Sequence, residues 1–267
     1  MVDPLLMIIT LIFGLCIGSF LNVIILRVPD SKSIVSPGSM CPKCSHPIRF
    51  YDNIPVLSFL WLRGRCRHCR APISMRYPLV EMLSGLLALS ILVYFGLTLA
   101  SLIYFCFTAI LVVITFIDID HWIIPDIITL PGIPICFLLS FALPDTSYKD
   151  SLLGFLFGGG ILYAIGYFYA LATDREGMGG GDIKLLAMIG TLLGWQGVII
   201  TIYISSFTGT LVGVAVMLIT RKGMKLPIPF GPFLALGAIV HIFFHPKLQF
   251  LYAPYKQLGL LLIHKLF

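Results

Sequence analysis

Gly177-Met-Gly-Gly-Gly-Asp182 runs directly into Ile183 to Thr220, 38 residues whose only charge is Lys184. A bilayer crossing takes about 20 apolar residues. The stretch is therefore too long for one crossing, and Gly194-Trp-Gln-Gly197 inside it offers a natural turn between two. The rest of the 267 residues agree: 58% are hydrophobic, 11% are charged and the mean hydropathy is +1.00. Soluble domains carry about one-quarter charged residues. The expected class is an all-α polytopic membrane protein.

Leu5 to Leu26 is free of charge and long enough to cross once. Met1-Val-Asp-Pro lacks the basic start of a secretory signal and the run is too long for one, so it is read as the first span. Further spans are expected at about Leu79–Leu97, Leu99–Ile117, Ile123–Leu143 and Ser151–Ala172, then two within 183–220 and a last at Phe230–Phe244, about eight in all. The polar segment between the first two holds Arg27, Lys32, Lys43, Arg49, Arg63, Arg65, Arg67, Arg70 and Arg76 against Asp30 and Asp52. Positive charge marks cytoplasmic loops. Both termini then lie outside the cytoplasm, and Arg175, Lys184, Arg221, Lys222 and Lys225 join the inner set, leaving Lys149, Lys247, Lys256 and Lys265 outside. This distribution accounts for the formal charge of +6 without a nucleic-acid partner. The expected domains are a first helix at 1–26, a cytoplasmic loop domain at 27–78 and a polytopic domain at 79–267. No sequence repeat is expected, and the tail from His245 to Phe267 receives no role.

Within the loop, Cys41-Pro-Lys-Cys44 and Cys66-Arg-His-Cys69 each put two thiols on one tight turn. Two such turns can give a zinc ion four thiolates, and the metal would supply fold energy to a segment poor in apolar residues. A disulfide pair, free thiols or an iron-sulfur centre are the other readings. His46 and His68 are expected to face solvent as spares, and Cys16, Cys106 and Cys136 to act as small core hydrophobes.

Acids at membrane depth are costly and so are functional candidates. Besides Asp182, the chain has Asp118-Ile-Asp-His-Trp-Ile-Ile-Pro-Asp126. On a helix Asp118 and Asp120 point to nearly opposite faces, so only one of them can belong to a pair with Asp182. Two adjacent carboxyl groups that share one proton can activate water and polarise a peptide carbonyl. Gly179, Gly180 and Gly181 leave backbone free for a substrate chain to approach. Asp126, after Pro125, is expected to cap a helix, and Lys184 to sit among lipid headgroups. Gly14 and Gly18 have helix-packing spacing. Asn22 is read as hydrogen-bonding glue between helices or a catalytic group, and Glu81 as an ion-pair partner of Arg27 or Arg76. Phe230-Gly-Pro232 is a turn or a wall of the substrate groove.

Six motifs in order resemble those of the type IV prepilin peptidases, which cleave leader peptides and N-methylate the products. They are Gly18-Ser-Phe-Leu-Asn-Val23 with Arg27-Val-Pro29, the paired cysteines, Arg76-Tyr-Pro-Leu-Val-Glu81, Asp118-Ile-Asp-His with Pro125-Asp126, Gly177 to Leu185, and Pro227-Ile-Pro-Phe-Gly-Pro232. The resemblance implies a bacterial inner-membrane enzyme with Asp118 and Asp182 as the catalytic pair at the cytoplasmic face. It implies that the cysteine domain serves the methyltransferase step, with S-adenosylmethionine as donor, and leaves Asn22, Arg27 and Glu81 as methyltransferase or structural residues. Implied substrates are prepilins and the pseudopilins of type II secretion, cut after the leader's last glycine, with the pilus and secretion assembly machinery as partners. An ion-coupled transporter, a preflagellin- or presenilin-like protease without methyltransferase activity, and an assembly scaffold are the rival readings. The acids' position at one face, not at the midplane, speaks against transport.

Overall fold

The computed structural model describes residues 2–144, 146–173, 179–220 and 228–251. Gly177, Met178, Pro227 and the tail beyond 251 lie outside them. Among the described residues there are eight α-helices and no β-strand: α1 Pro4–Arg27, α2 Leu57–Trp61, α3 Arg76–Phe95, α4 Leu99–His121, α5 Asp126–Ser140, α6 Tyr148–Thr173, α7 Gly180–Thr220 and α8 Gly231–Phe244. Five of them, α1, α3, α4, α6 and α7, are long and apolar enough to cross a membrane. The all-α polytopic class is therefore met. α5 is a shorter apolar helix with Pro131 and Pro134 in its interior.

The chain divides into two compact units, Met1–Ile117 and Asp118–Phe267. In the first, Asp3 caps α1 by accepting the Leu5 N–H at 2.9 Å, with Pro4 as the first helical residue. The expected small-residue packing of α1 on α3 is present: a Cβ on Gly18 would lie 2.6 Å from the Glu81 Cα. Asn22 is buried here and its Nδ2 donates to the carbonyls of Gly18 in its own helix (3.2 Å) and Tyr77 in α3 (3.1 Å), the inter-helix glue.

In the second unit, Leu185 to Leu193 of α7 are buried all round, the pattern of a helix enclosed by others. α6 crosses α7 with backbones in contact at Gly154 and Gly190, where a Cβ on either would collide with the other's carbonyl oxygen. The expected turn within 183–220 is a break at one residue: Gly194 has φ 72° and ψ 178°, a conformation open to glycine, while helix continues on both sides.

The loop between α1 and α3 does contain a repeat, contrary to expectation. Cys41-Pro-Lys-Cys-Ser-His-Pro-Ile48 and Cys66-Arg-His-Cys-Arg-Ala-Pro-Ile73 fold alike. In each, the first cysteine's N–H bonds a carbonyl five residues on, at His46 or Ala71, and its carbonyl accepts from Ser45 or Arg70. Those two residues take left-handed φ values of 53° and 61°. One short antiparallel bridge closes each turn, Met40 with Pro47 and Arg65 with Pro72.

Candidate active site and cysteine centre

α4 ends at His121, closed by the Trp122 N–H bonding back to the Asp118 carbonyl at 2.9 Å. Asp118 therefore sits in the last turn of an apolar helix. It is 5% exposed, whereas Asp120, on the other side of that turn, faces outward, as their spacing predicts. Asp182 occupies the first turn of α7 and is half-buried, its N–H bonded to the Gly179 carbonyl at 3.1 Å.

Ile124, in the link from α4 to α5, brings the two helix ends together. A Cβ on Gly181, beside Asp182, would lie 2.8 Å from the Ile124 Cβ, and one on Gly231 would lie 3.2 Å from its Cδ1. Gly231 touches Asp118 directly: its N–H donates to Asp118 Oδ2 at 2.9 Å in a buried position. The Asp118 and Asp182 carboxyl groups are close enough to interact electrostatically. The structure thus gathers both acids, the glycines before Asp182 and the start of α8 at one place.

Gly231 is the residue that sequence reasoning left undecided. Its position as the first residue of α8 aims an unsatisfied helix N–H at a carboxylate, which the helix dipole also favours. The signal was the Phe230-Gly-Pro232 motif, but its target lies 113 residues away in sequence.

Three smaller expectations are corrected. Asp126 is the first residue of α5 with Pro125 at the cap position, and no side chain caps that helix end. Asp126 binds Lys184 instead, Nζ lying 2.7 and 2.8 Å from its two oxygens, so Lys184 ties the start of α7 to the start of α5. Both side chains are well exposed, at 37% and 54%. Lys184→Met should accordingly change stability by no more than about 1 kcal/mol. Thermal unfolding in detergent measures this, and a larger loss would show that the pair holds the site together. Glu81, expected to pair with Arg27 or Arg76, accepts the Val56 N–H at 2.7 Å. Arg27 donates to the carbonyls of Ser33, Pro37 and Gly38.

In the cysteine loop the two repeated turns face each other. All four sulfurs of Cys41, Cys44, Cys66 and Cys69 lie within 4.8 Å of one another, and those of Cys41 and Cys69 are 3.8 Å apart. Four thiolates around one ion at bonds of about 2.3 Å would be separated by about 3.8 Å, so the residues fit a tetrahedral metal ion. The alternative disulfides are absent; all four are free. The Cys44 and Lys43 backbone N–H groups, the Cys44 one foremost, lower the Cys41 thiol to about 7. The His46 N–H acts likewise on Cys44, but desolvation and the Cys41, Cys69 and Cys66 sulfurs outweigh it and raise that thiol to about 11. Four thiolates so close need a cation to neutralise them. Around the centre, Arg67 grips Asp52 with Nε at 2.8 Å and Nη2 at 2.6 Å, and the rings of His46 and His68 stack 4.3 Å apart. The histidines are thus paired with each other.

Comparison with known proteins shows the family. Residues 12–95 match the bacterial peptidase A24 N-terminal domain and residues 105–214 the type IV leader peptidase family. A prepilin leader peptidase/N-methyltransferase of Aeromonas hydrophila is 40% identical over 250 residues, covering 85% of this chain and 86% of that protein. One from Myxococcus xanthus is 42% identical over 82% of this chain and 65% of its own length, and one from Pseudomonas aeruginosa 36% identical over 85% and 87%. No solved structure matches the chain.

Proposed function

The chain belongs to the prepilin leader peptidase/N-methyltransferase family, and from that premise we propose that it removes the basic leader of type IV prepilins and pseudopilins and then methylates the new N-terminus. The observation that carries the proteolytic half is the convergence of Asp118 and Asp182 on Ile124 and Gly231. The substrate's apolar helix lies in the bilayer beside the enzyme, its leader in the cytoplasm, and the junction between them meets the acids through the open backbone of Gly179, Gly180 and Gly181.

Asp118, an acceptor of the Gly231 N–H, is the base. It takes a proton from a water whose oxygen attacks the carbonyl carbon of the leader's last residue, while Asp182 gives its proton to the carbonyl oxygen. The tetrahedral intermediate then collapses: one of its hydroxyl protons returns to Asp182 as the carbonyl re-forms, the C–N bond breaks and the amine leaves with the proton held by Asp118. No covalent enzyme intermediate forms. Gly231 is a positioning residue here. Gly231→Ala would put a Cβ 2.7 Å from Asp118 Oδ2, and misplacing a catalytic group by a fraction of an ångström should lower kcat/KM by roughly ten- to a hundred-fold. The pH profile of cleavage should shift with it; a loss of folded protein with an unshifted profile would mean the glycine serves packing alone.

Cys41, Cys44, Cys66 and Cys69 hold zinc, which with four protein ligands and no open position is structural. The domain it organises serves methyl transfer from S-adenosylmethionine, with Asn22, Arg27 and Glu81 holding that domain's helices and loop in place. The topology is eight crossings in the inner membrane, α7 counting as two across Gly194, with both termini periplasmic and the acids at the cytoplasmic face. The assay is incubation of the purified protein with a prepilin, following leader removal by mobility and methylation by transfer of a labelled methyl group. Cysteine variants should lose methylation more than cleavage, and equal loss of both would end that division of labour.

A further inference from the structure

α2 is five residues long and shows large apolar side chains on its outside. Leu57 is 63% exposed, Leu60 64% and Trp61 84%. Their spacing of three and four places them on one helix face. The opposite side is used internally, because the Phe59 ring lies against Gly64 of the second cysteine turn. Phe50, 86% exposed, adds to the apolar rim. A polar loop outside a membrane gains nothing by presenting four such groups to water.

Their depth is fixed by one hydrogen bond. Val56, the residue before α2, donates its N–H to Glu81 Oε2 at 2.7 Å. Glu81 lies in the second turn of α3, about 7.5 Å along the helix from Arg76 at a rise of 1.5 Å per residue, and the apolar run of α3 starts before it, at Leu79. α2 therefore starts beside a helix segment already within the span. Charge complements depth: Arg63, Arg65 and Arg70 follow α2 closely and are exposed, whereas Asp52, one of the loop's two acids, is taken by Arg67. Apolar and aromatic groups at the water boundary, with arginines beside them, match the headgroup layer of an anionic bilayer.

We propose that α2 beds its Leu57, Leu60 and Trp61 face in the headgroup layer of the cytoplasmic leaflet, with the following arginines on anionic phospholipids, so that the cysteine centre is anchored to the membrane surface. The anchor holds the loop at both of its ends and by its middle.

The test uses the full chain in nanodiscs, one copy per disc, with Trp122 and Trp195 replaced by Phe so that Trp61 alone reports. Lipids brominated on the acyl chain near the headgroup should quench its emission about two-fold or more, and iodide in the buffer should have little effect. Exchanging phosphatidylglycerol for phosphatidylcholine should weaken the bromolipid quenching. Quenching by iodide, protection from both quenchers as under a protein cover, or indifference to the headgroup would each overturn the proposal. Should the double tryptophan change disturb folding, Trp61→Ser in the otherwise native chain should remove part of the bromolipid-quenchable emission, and no change would count equally against it.

Discussion

Asp118→Asn and Asp182→Asn should each lower the rate of leader removal by roughly a thousand-fold or more, the scale of losing a positioned acid or base. The substitutions keep shape and remove the proton traffic. At residue 118 the amide oxygen can still accept the Gly231 N–H, so the variant keeps its helix packing and should insert and purify like the parent. Asn at 182 likewise leaves the first turn of α7 intact. Because the two acids act as a unit on one water, the double variant should be hardly slower than the slower single one. Losses that multiply would show independent contributions, and full activity in either single variant would remove that residue from the chemistry. The measurement is the initial rate of mobility shift of a prepilin at saturating substrate.

Replacing Cys41 and Cys44 together by Ser should release the metal and unfold the loop between α1 and α3. Metal binding of this kind carries about 10 kcal/mol or more of folding free energy. Among the described residues of the loop, Cys41 is the one buried apolar side chain, so little core remains to compensate. Two readings should move together: about one equivalent of zinc lost per chain, and new proteolytic cuts between Lys32 and Ser74. Bound zinc unchanged, or a loop that stays resistant after the metal has gone, would contradict a structural centre. Because a thiolate is the ligand, acidification acts in the same direction. Protons compete with the ion for the sulfurs, so metal retention should fall as pH drops.

The helices were legible because a bilayer imposes length and hydrophobicity together. Leu5–Leu26 and Leu99–Ile117 differ from α1 and α4 by a few terminal residues. Asp118 belongs to the last turn of α4 and not to a loop, because the helix continues until Trp122 turns left-handed. What the sequence hid are contacts between residues far apart in the chain. The Lys184–Asp126 pair joins residues 58 apart, and local rules offered a cap for one and lipid for the other. Gly231 on Asp118 was hidden for the same reason. The likeness of the two cysteine turns beyond their cysteines escaped notice because the copies share only the proline and the isoleucine besides; backbone hydrogen bonds, which sequence does not display, carry it. Glu81 was misassigned because arginines were nearer in the charge pattern than the backbone N–H of Val56, which the fold of the loop delivers to it.

The most direct test of the two-acid account is a structure of the enzyme holding a prepilin segment whose scissile peptide bond is reduced and cannot be cut. The account predicts one water within about 2.6–3.2 Å of both the Asp118 and Asp182 carboxyl groups, beside the carbon that replaces the scissile carbonyl. A substrate whose reduced bond lies away from either acid, or carboxyl groups turned from each other with the segment in place, would contradict it.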